Sequence, residues 1–170
     1  EVEPNDGHYA LAEAEKYFDV QVLTQNIDDL HERAGSTNVL HLHGQLRMSQ
    51  SSANPTMVYP IEGWELKMGE KAEDGSQLRP HVVWFGEAVP NIEKAAEISA
   101  TADYYAIVGT SLNVYPAAGL VAYAPKECSV WLVDPNPSAS SGIPRLTVYA
   151  EPASSGVAKM IEEIRRLADA

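Results

Sequence analysis

Two histidines, His41 and His43, stand one residue apart at the end of the apolar run Val39, Leu40 and Leu42, just before Gly44. On a strand, side chains two apart share a face, so both imidazoles would point the same way. An imidazole titrates near neutral pH and can draw a proton from a hydroxyl, which makes His43, at the strand end, a candidate general base. The pair could also begin a metal site, with His31, Asp28 or His81 as a further ligand, but no recognised ligand spacing joins them. A satisfied structural histidine is the plainer reading of His41.

Upstream, Gln25-Asn26-Ile27-Asp28 follows another apolar run, Val20, Val22 and Leu23. Amides and carboxylates at a strand end can hold ribose hydroxyls, a carboxamide or a water. They can equally cap the next helix. Gly109-Thr110-Ser111 closes a third apolar run; glycine allows close backbone approach, and the hydroxyls can reach phosphate or ribose. A plain tight turn has the same composition. Asp134 ends a fourth run, where an acidic residue can take ribose hydroxyls, although Asp-Pro-Asn-Pro is also a turn signal. No G-x-G-x-x-G or Walker pattern is present, so glycines alone do not establish nucleotide binding. Phe85-Gly86-Glu87 and Leu112-Asn113-Val114 read as short extended pieces. Either could pair with an added peptide strand or be an ordinary connection.

The elements that must position these groups alternate. Asn5 or Asp6 can cap a helix over 8–18. Strand, polar loop, short helix and strand then fill 20–44. A helix follows Pro90, strands cover 103–108 and 129–133, and Pro116 can open a helix through Tyr123. A short strand at 146–149 precedes an amphipathic, capped helix over 155–167. This is α/β grammar: a Rossmann-like, largely parallel sheet with helices on both faces. Residues 44–80 differ. They are rich in Ser, Gly, Pro, Glu and Met, with an apolar cluster of Met57, Val58, Tyr59, Ile61, Trp64 and Leu66. They read as a small inserted module that splits the main domain into 1–43 and 81–170.

Composition narrows the partners. Of the 170 residues, 45% are hydrophobic and 21% charged, and the net charge is -12. No basic run exists to neutralise phosphates, so nucleic acid is not an expected partner. No apolar run is long enough to span a bilayer, so a membrane is not expected either. The single cysteine, Cys128, excludes a disulfide framework and a cysteine metal cluster within the chain. A reducing cytoplasm fits. The abrupt opening, EVEPNDGHYALAEAEKYF, reads as the middle of a fold and raises the expectation of a preceding segment.

Taken together, several motifs resemble the sirtuin family of NAD-dependent protein deacylases, its bacterial branch above all. They are Thr24-Gln25-Asn26-Ile27-Asp28, Leu30-His31-Glu32-Arg33-Ala34-Gly35, Leu42-His43-Gly44, Arg79-Pro80-His81-Val82-Val83-Trp84-Phe85-Gly86-Glu87, Gly109-Thr110-Ser111 and Val114-Tyr115-Pro116-Ala117-Ala118. They occur in the family's order and cover most of the chain. The resemblance implies an enzyme that transfers the acyl group of an acylated protein lysine to ADP-ribose and releases nicotinamide, with NAD as cofactor. The alternatives are a non-catalytic ADP-ribose or acyl-peptide binding module and a mono-ADP-ribosyltransferase. It implies His43 as general base and Asn26 as its catalytic companion. Gln25, Asn26 and Asp28 would lie at the nicotinamide and its ribose, and Gly109, Thr110 and Ser111 at the cofactor-binding turn. Asp134, where the family usually has Asn, would lie at the adenosine ribose, and Ala153 near the adenine. Phe85, Gly86, Glu87, Leu112, Asn113 and Val114 would clamp the substrate backbone. The family's Gly-Ala-Gly-Ile-Ser phosphate loop falls before Glu1, so the resemblance implies that the chain is a fragment, that a separate N-terminal segment supplies the front half, or that the site is incomplete. The usual insert carries two cysteine pairs for structural zinc. Residues 44–80 carry no cysteine, so no metal is expected, and packing of Tyr59, Ile61, Trp64 and Leu66 should hold the module instead.

Overall fold

The computed structural model describes residues 2–110, 115–137 and 142–170. The chain divides into two compact units, one of residues 1–23, 30–40 and 91–170, the other of residues 24–29 and 41–90. A two-stranded sheet joins β1 (Val22–Thr24) to β2 (Val39–His41).

The first unit is built on a three-stranded sheet of order β6-β7-β8, formed by Tyr104–Val108, Ser129–Val133 and Leu146–Tyr149. Both pairings are parallel, with Val108 opposite Val133 and Val133 opposite Tyr149. Parallel strands bury both faces, which is why SVWLV reads as an unbroken apolar run. The two faces take alternate residues. Trp131 and Val133 pack with Val157, Met160 and Ile164 of α4 (Ala153–Ala168), joined by Leu11 and Phe18. Val130 and Leu132 pack with Ile107 and with Val121. Val121 belongs to Ala117–Tyr123, expected as an α-helix but formed as a 3-10 helix behind Pro116. Seven residues in so short a crossover leave little room for 13-atom hydrogen-bonded rings.

Glycine sets how closely α4 approaches. A Cβ on Gly156 would lie 2.4 Å from Val133 Cγ1, and one on Gly7 would lie 2.8 Å from the Ala153 carbonyl oxygen. Gly7 belongs to α1 (Asp6–Ala14), which Asn5 caps: its side chain accepts from the Gly7 and His8 amides, and the Asn5 N–H donates to His8 Nδ1. The cap expected on α4 is absent; Pro152 stands at its N-cap without a side-chain hydrogen bond. α3 (Ile92–Ser99) lies close to the expected span behind Pro90.

The second unit contains a three-stranded antiparallel sheet, order β4-β3-β5, formed by Val58–Pro60, Gly44–Ser51 and Leu78–Val82. Trp64, expected to pack, is exposed, as is Met68. Both sit between Gly63 and Gly69, which take φ of 83° and 98° and turn the chain outward. Tyr59, Ile61 and Leu66 are half-buried, and a polar cluster fastens the module as well. The fully buried Ser51 Oγ accepts from the Ala53 and Asn54 amides and bonds Asp74 Oδ2 (2.6 Å) and Ser76 Oγ (2.7 Å). Asp74 Oδ1 accepts from the Ser76 amide and hydroxyl. Hydroxyls and a lone carboxylate are not the thiolate or imidazole set that structural zinc takes, so the residues present do not fit that metal.

At Gly44 the chain turns from β2 into β3 with φ of 85°, and a Cβ there would sit 2.0 Å from the His81 carbonyl oxygen. Gly44→Ala therefore combines a left-handed backbone with a steric overlap and should cost at least about 2 kcal/mol, read as a lowered denaturant midpoint. A second expectation concerns Asp74, whose hydrogen bonds from Ser51 and Ser76 hold its carboxyl below the ordinary 3.8. A depressed carboxyl stabilises the fold above its unfolded value and loses that contribution as pH falls through the folded one. Amide exchange at Ala53 and Asn54, taken relative to the unfolded chain at the same pH, should thus stay slow above pH 3.8 and quicken below it. Ser51→Ala should make it fast at every pH.

Candidate active site

His43 is half-buried in the two-residue link between β2 and β3, and its Nδ1 lies 3.0 Å from the Gln25 carbonyl oxygen. A carbonyl only accepts, so in the neutral ring Nδ1 carries the proton and Nε2 keeps its lone pair. That is the tautomer a general base needs. His41 makes the same contact one residue on, Nδ1 to the Asn26 carbonyl at 3.0 Å, but it is buried among structural neighbours. The twin contacts explain the His-x-His pattern. Both rings stitch β2 to the 25–26 loop, and only the second keeps access to solvent.

The loop is held from both ends. The Asn26 amide donates to Thr24 Oγ1 (3.1 Å), and the Leu46 amide donates to the Ile27 carbonyl (2.7 Å). Asn26 itself is exposed, with Gln25 and Asp28 half-buried beside it. Among the described residues no group of three or more His, Cys, Asp or Glu could hold a metal ion.

The Val83 amide donates to the His43 carbonyl (2.9 Å), so the run after β5 is fastened to the candidate base. Residues 84–87, expected to be extended, form a turn instead. The Glu87 amide donates to the Trp84 carbonyl (3.0 Å), and Gly86 takes φ of 92°. Glycine supplies the positive φ that a strand would not need. Phe85 and Trp84 project into solvent from this turn. Glu87 accepts from the Trp84 amide and pairs with Arg79, and these two contacts, in that order of effect, pull its carboxyl below the ordinary 4.5.

In the other unit, Gly109 and Asp134 follow the ends of β6 and β7, and Ala153 opens α4 shortly after β8. Parallel strands put these ends on one sheet edge. The Gly109 amide donates to the Val133 carbonyl, φ is 59°, and nothing lies within 4 Å of where its Cβ would be. A ligand can approach that backbone closely. Thr110 is half-buried beside it. Asp134 Oδ1 accepts from the Asn136 amide (2.7 Å), so the turn reading of Asp-Pro-Asn-Pro holds without removing the carboxylate from the edge. Ser111, Leu112, Asn113 and Val114 lie outside the described residues.

A model described as the Sir2 family matches residues 1–116. An NAD-dependent protein deacylase of Bacteroides thetaiotaomicron is 51% identical over 172 residues, covering 98% of this chain and 72% of the relative. The chain belongs to the Sir2 family. Among solved structures, a Sir2 homolog–NAD complex superposes with a TM-score of 0.83 at 32% identity, covering 97% of this chain and 66% of that one. A Sir2–p53 peptide–NAD+ complex superposes with a TM-score of 0.79 at 28% identity, covering 97% and 72%. This Sir2 chain thus has the α/β, Rossmann-like fold of its family, and spans about two thirds to three quarters of the length of these relatives. No helix among the described residues of the Sir2 chain is long and apolar enough to cross a membrane.

Sequence reasoning missed Gln50 and Arg79, which directly oppose each other across β3 and β5. Only the register, set by long-range pairing, brings them together. The tautomer of His43 is directly measurable. Nitrogen chemical shifts at neutral pH should report Nδ1–H and a bare Nε2; the reverse assignment would remove its suitability as a base.

Proposed function

We propose that this chain carries the catalytic core of an NAD-dependent protein-lysine deacylase, with His43 as general base. The observation that carries the proposal is the 3.0 Å contact of His43 Nδ1 with the Gln25 carbonyl, which leaves Nε2 free to accept a proton. Bound NAD would supply an ADP-ribosyl acceptor with nicotinamide as its leaving group. The donor set suits it: the amides of Gln25 and Asn26 with the Asp28 carboxylate for the carboxamide and its ribose, and the Gly109–Thr110 edge with Asp134 for the other ribose. Ser111 and Ala153 complete the proposed cofactor contacts. The open space at the Gly109 Cα supports a close-fitting group there.

His43 Nε2 takes a proton from a ribose hydroxyl, and the Gln25 carbonyl stabilises the resulting imidazolium through Nδ1. Asn26 orients the reacting sugar. Phe85, Gly86 and Glu87 would hold the acylated lysine's own backbone, and the resemblance assigns the same task to Leu112, Asn113 and Val114. The peptide in the solved Sir2–p53 complex supports a protein segment as that substrate. The shared deacylase name of the curated relatives supports the reaction class.

The test is nicotinamide release by the full-length protein, with and without an acyl-lysine peptide. Release that requires the peptide indicates deacylation, release with label left on protein indicates ADP-ribosyl transfer, and no release indicates a binding module. His43→Ala should lower peptide-dependent release ~10²–10⁴-fold while the protein stays folded. Wild-type rates in that variant would end the assignment of the base.

A further inference from the structure

Beneath the exposed turn at 84–87 lies a polar assembly with no part in the proton transfer. Arg79, on β5, donates through Nη1 to the Val82 carbonyl (3.1 Å) and through Nη2 to Glu87 Oε1 (3.1 Å) and Oε2 (3.3 Å). Glu87 Oε2 in turn accepts from the Trp84 amide (3.1 Å). The guanidinium therefore grips the turn at its last residue, and that residue grips its first. On the other side of Arg79 is Gln50, 4% exposed, in the β3 position directly opposite.

A guanidinium has only donors, so the Gln50 amide must present its oxygen to it. In that orientation the oxygen accepts from Arg79 Nη2 (2.8 Å) and Nε (3.3 Å), and the amide nitrogen donates to His81 Nδ1 (2.7 Å). His81 Nδ1 must then be bare, so the ring is neutral with its proton on Nε2. Burial first, and then the Arg79 charge and His41, favour the neutral form by lowering the pKa of His81 from its ordinary 6.5. His81 Nδ1, the Gln50 amide, the Arg79 guanidinium and the Glu87 carboxylate thus form one chain of donors meeting acceptors. The backbone beneath is also fixed, since the Val83 amide is bonded to the His43 carbonyl.

A turn held this firmly nevertheless sends two large aromatic rings into solvent, Trp84 58% exposed and Phe85 wholly so. Phe85 adds no buried surface to the fold, and the polar network runs through the Trp84 backbone amide rather than its ring. We propose that Arg79 and Gln50 are positioning residues that set the 84–87 turn rigidly against the candidate base so that it can receive the backbone of an acyl-lysine peptide. This deepens the deacylase reading and rests on it. The network acts on peptide affinity. The bond-making step belongs to His43, so the two effects separate in the kinetics.

The experiment compares Gln50→Leu, Gln50→Glu and Arg79→Lys in the full-length protein. Peptide KM, NAD KM and kcat are measured from nicotinamide release, and peptide affinity is measured independently by calorimetry. Gln50→Leu keeps the volume but removes the acceptor on one side of the guanidinium, and should raise peptide KM and Kd about tenfold while NAD KM and kcat stay within about twofold. Gln50→Glu retains an acceptor for Arg79 and should restore peptide KM to within about threefold of wild type. Arg79→Lys lacks the fork and should behave like Gln50→Leu. Unchanged peptide KM in a folded Gln50→Leu protein, or equal losses in NAD KM and kcat, would overturn the proposal. If Gln50→Leu fails to fold, the Gln50→Glu and Arg79→Lys pair decides by the same criterion. A wild-type protein that binds the peptide by calorimetry but releases no nicotinamide would overturn the deacylase reading alone. One that binds no peptide would overturn the positioning proposal.

Discussion

The hydrogen bond between His43 Nδ1 and the Gln25 carbonyl fixes more than a ring. It decides which nitrogen is basic, and it ties the end of β2 to the loop that carries Asn26. The neighbouring bond from His41 to the Asn26 carbonyl repeats the tie one residue along. The Thr24 and Leu46 contacts hold the same loop from its two ends. A base must be held as well as basic, because proton transfer falls off steeply when donor and acceptor are misaligned. The rest of the second unit extends that tie. Gly44 turns the chain where no Cβ could fit, and the strand it begins pairs with β5. The Val83 amide then closes the circuit back to the His43 carbonyl.

Much of this was legible from residue order. Alternating apolar runs located the strands of the parallel sheet, and Ser129–Val133 and Leu146–Tyr149 fall where the pattern put them. Those strands are short, strongly apolar and bounded by Pro, Gly or Asp, the condition under which periodicity is informative. The His-x-His spacing and the amide loop singled out a candidate base because both are local features. Asn5 as a cap was readable for the same reason.

What was not legible depends on contacts distant in sequence. The polar path from His81 through Gln50 and Arg79 to Glu87 requires the β3–β5 register, which no single stretch encodes. The turn at 84–87 was misjudged as extended because Trp and Phe favour strands. Gly86, with its positive φ, overrides that preference. Trp64 was assigned to packing by its hydrophobicity alone, yet a segment bracketed by two left-handed glycines leaves it in water. The sequence held one unused clue to the insert's true fastening: Asp74-Gly75-Ser76 is a side-chain-to-backbone turn signal, and Ser51 is its distant partner.

That fastening has a physiological corollary. Residues 44–80 contain no cysteine, so peroxides find no thiolate there to oxidise. The lone sulfhydryl of the chain, Cys128, is buried, and burial raises its pKa and keeps it in the unreactive thiol form.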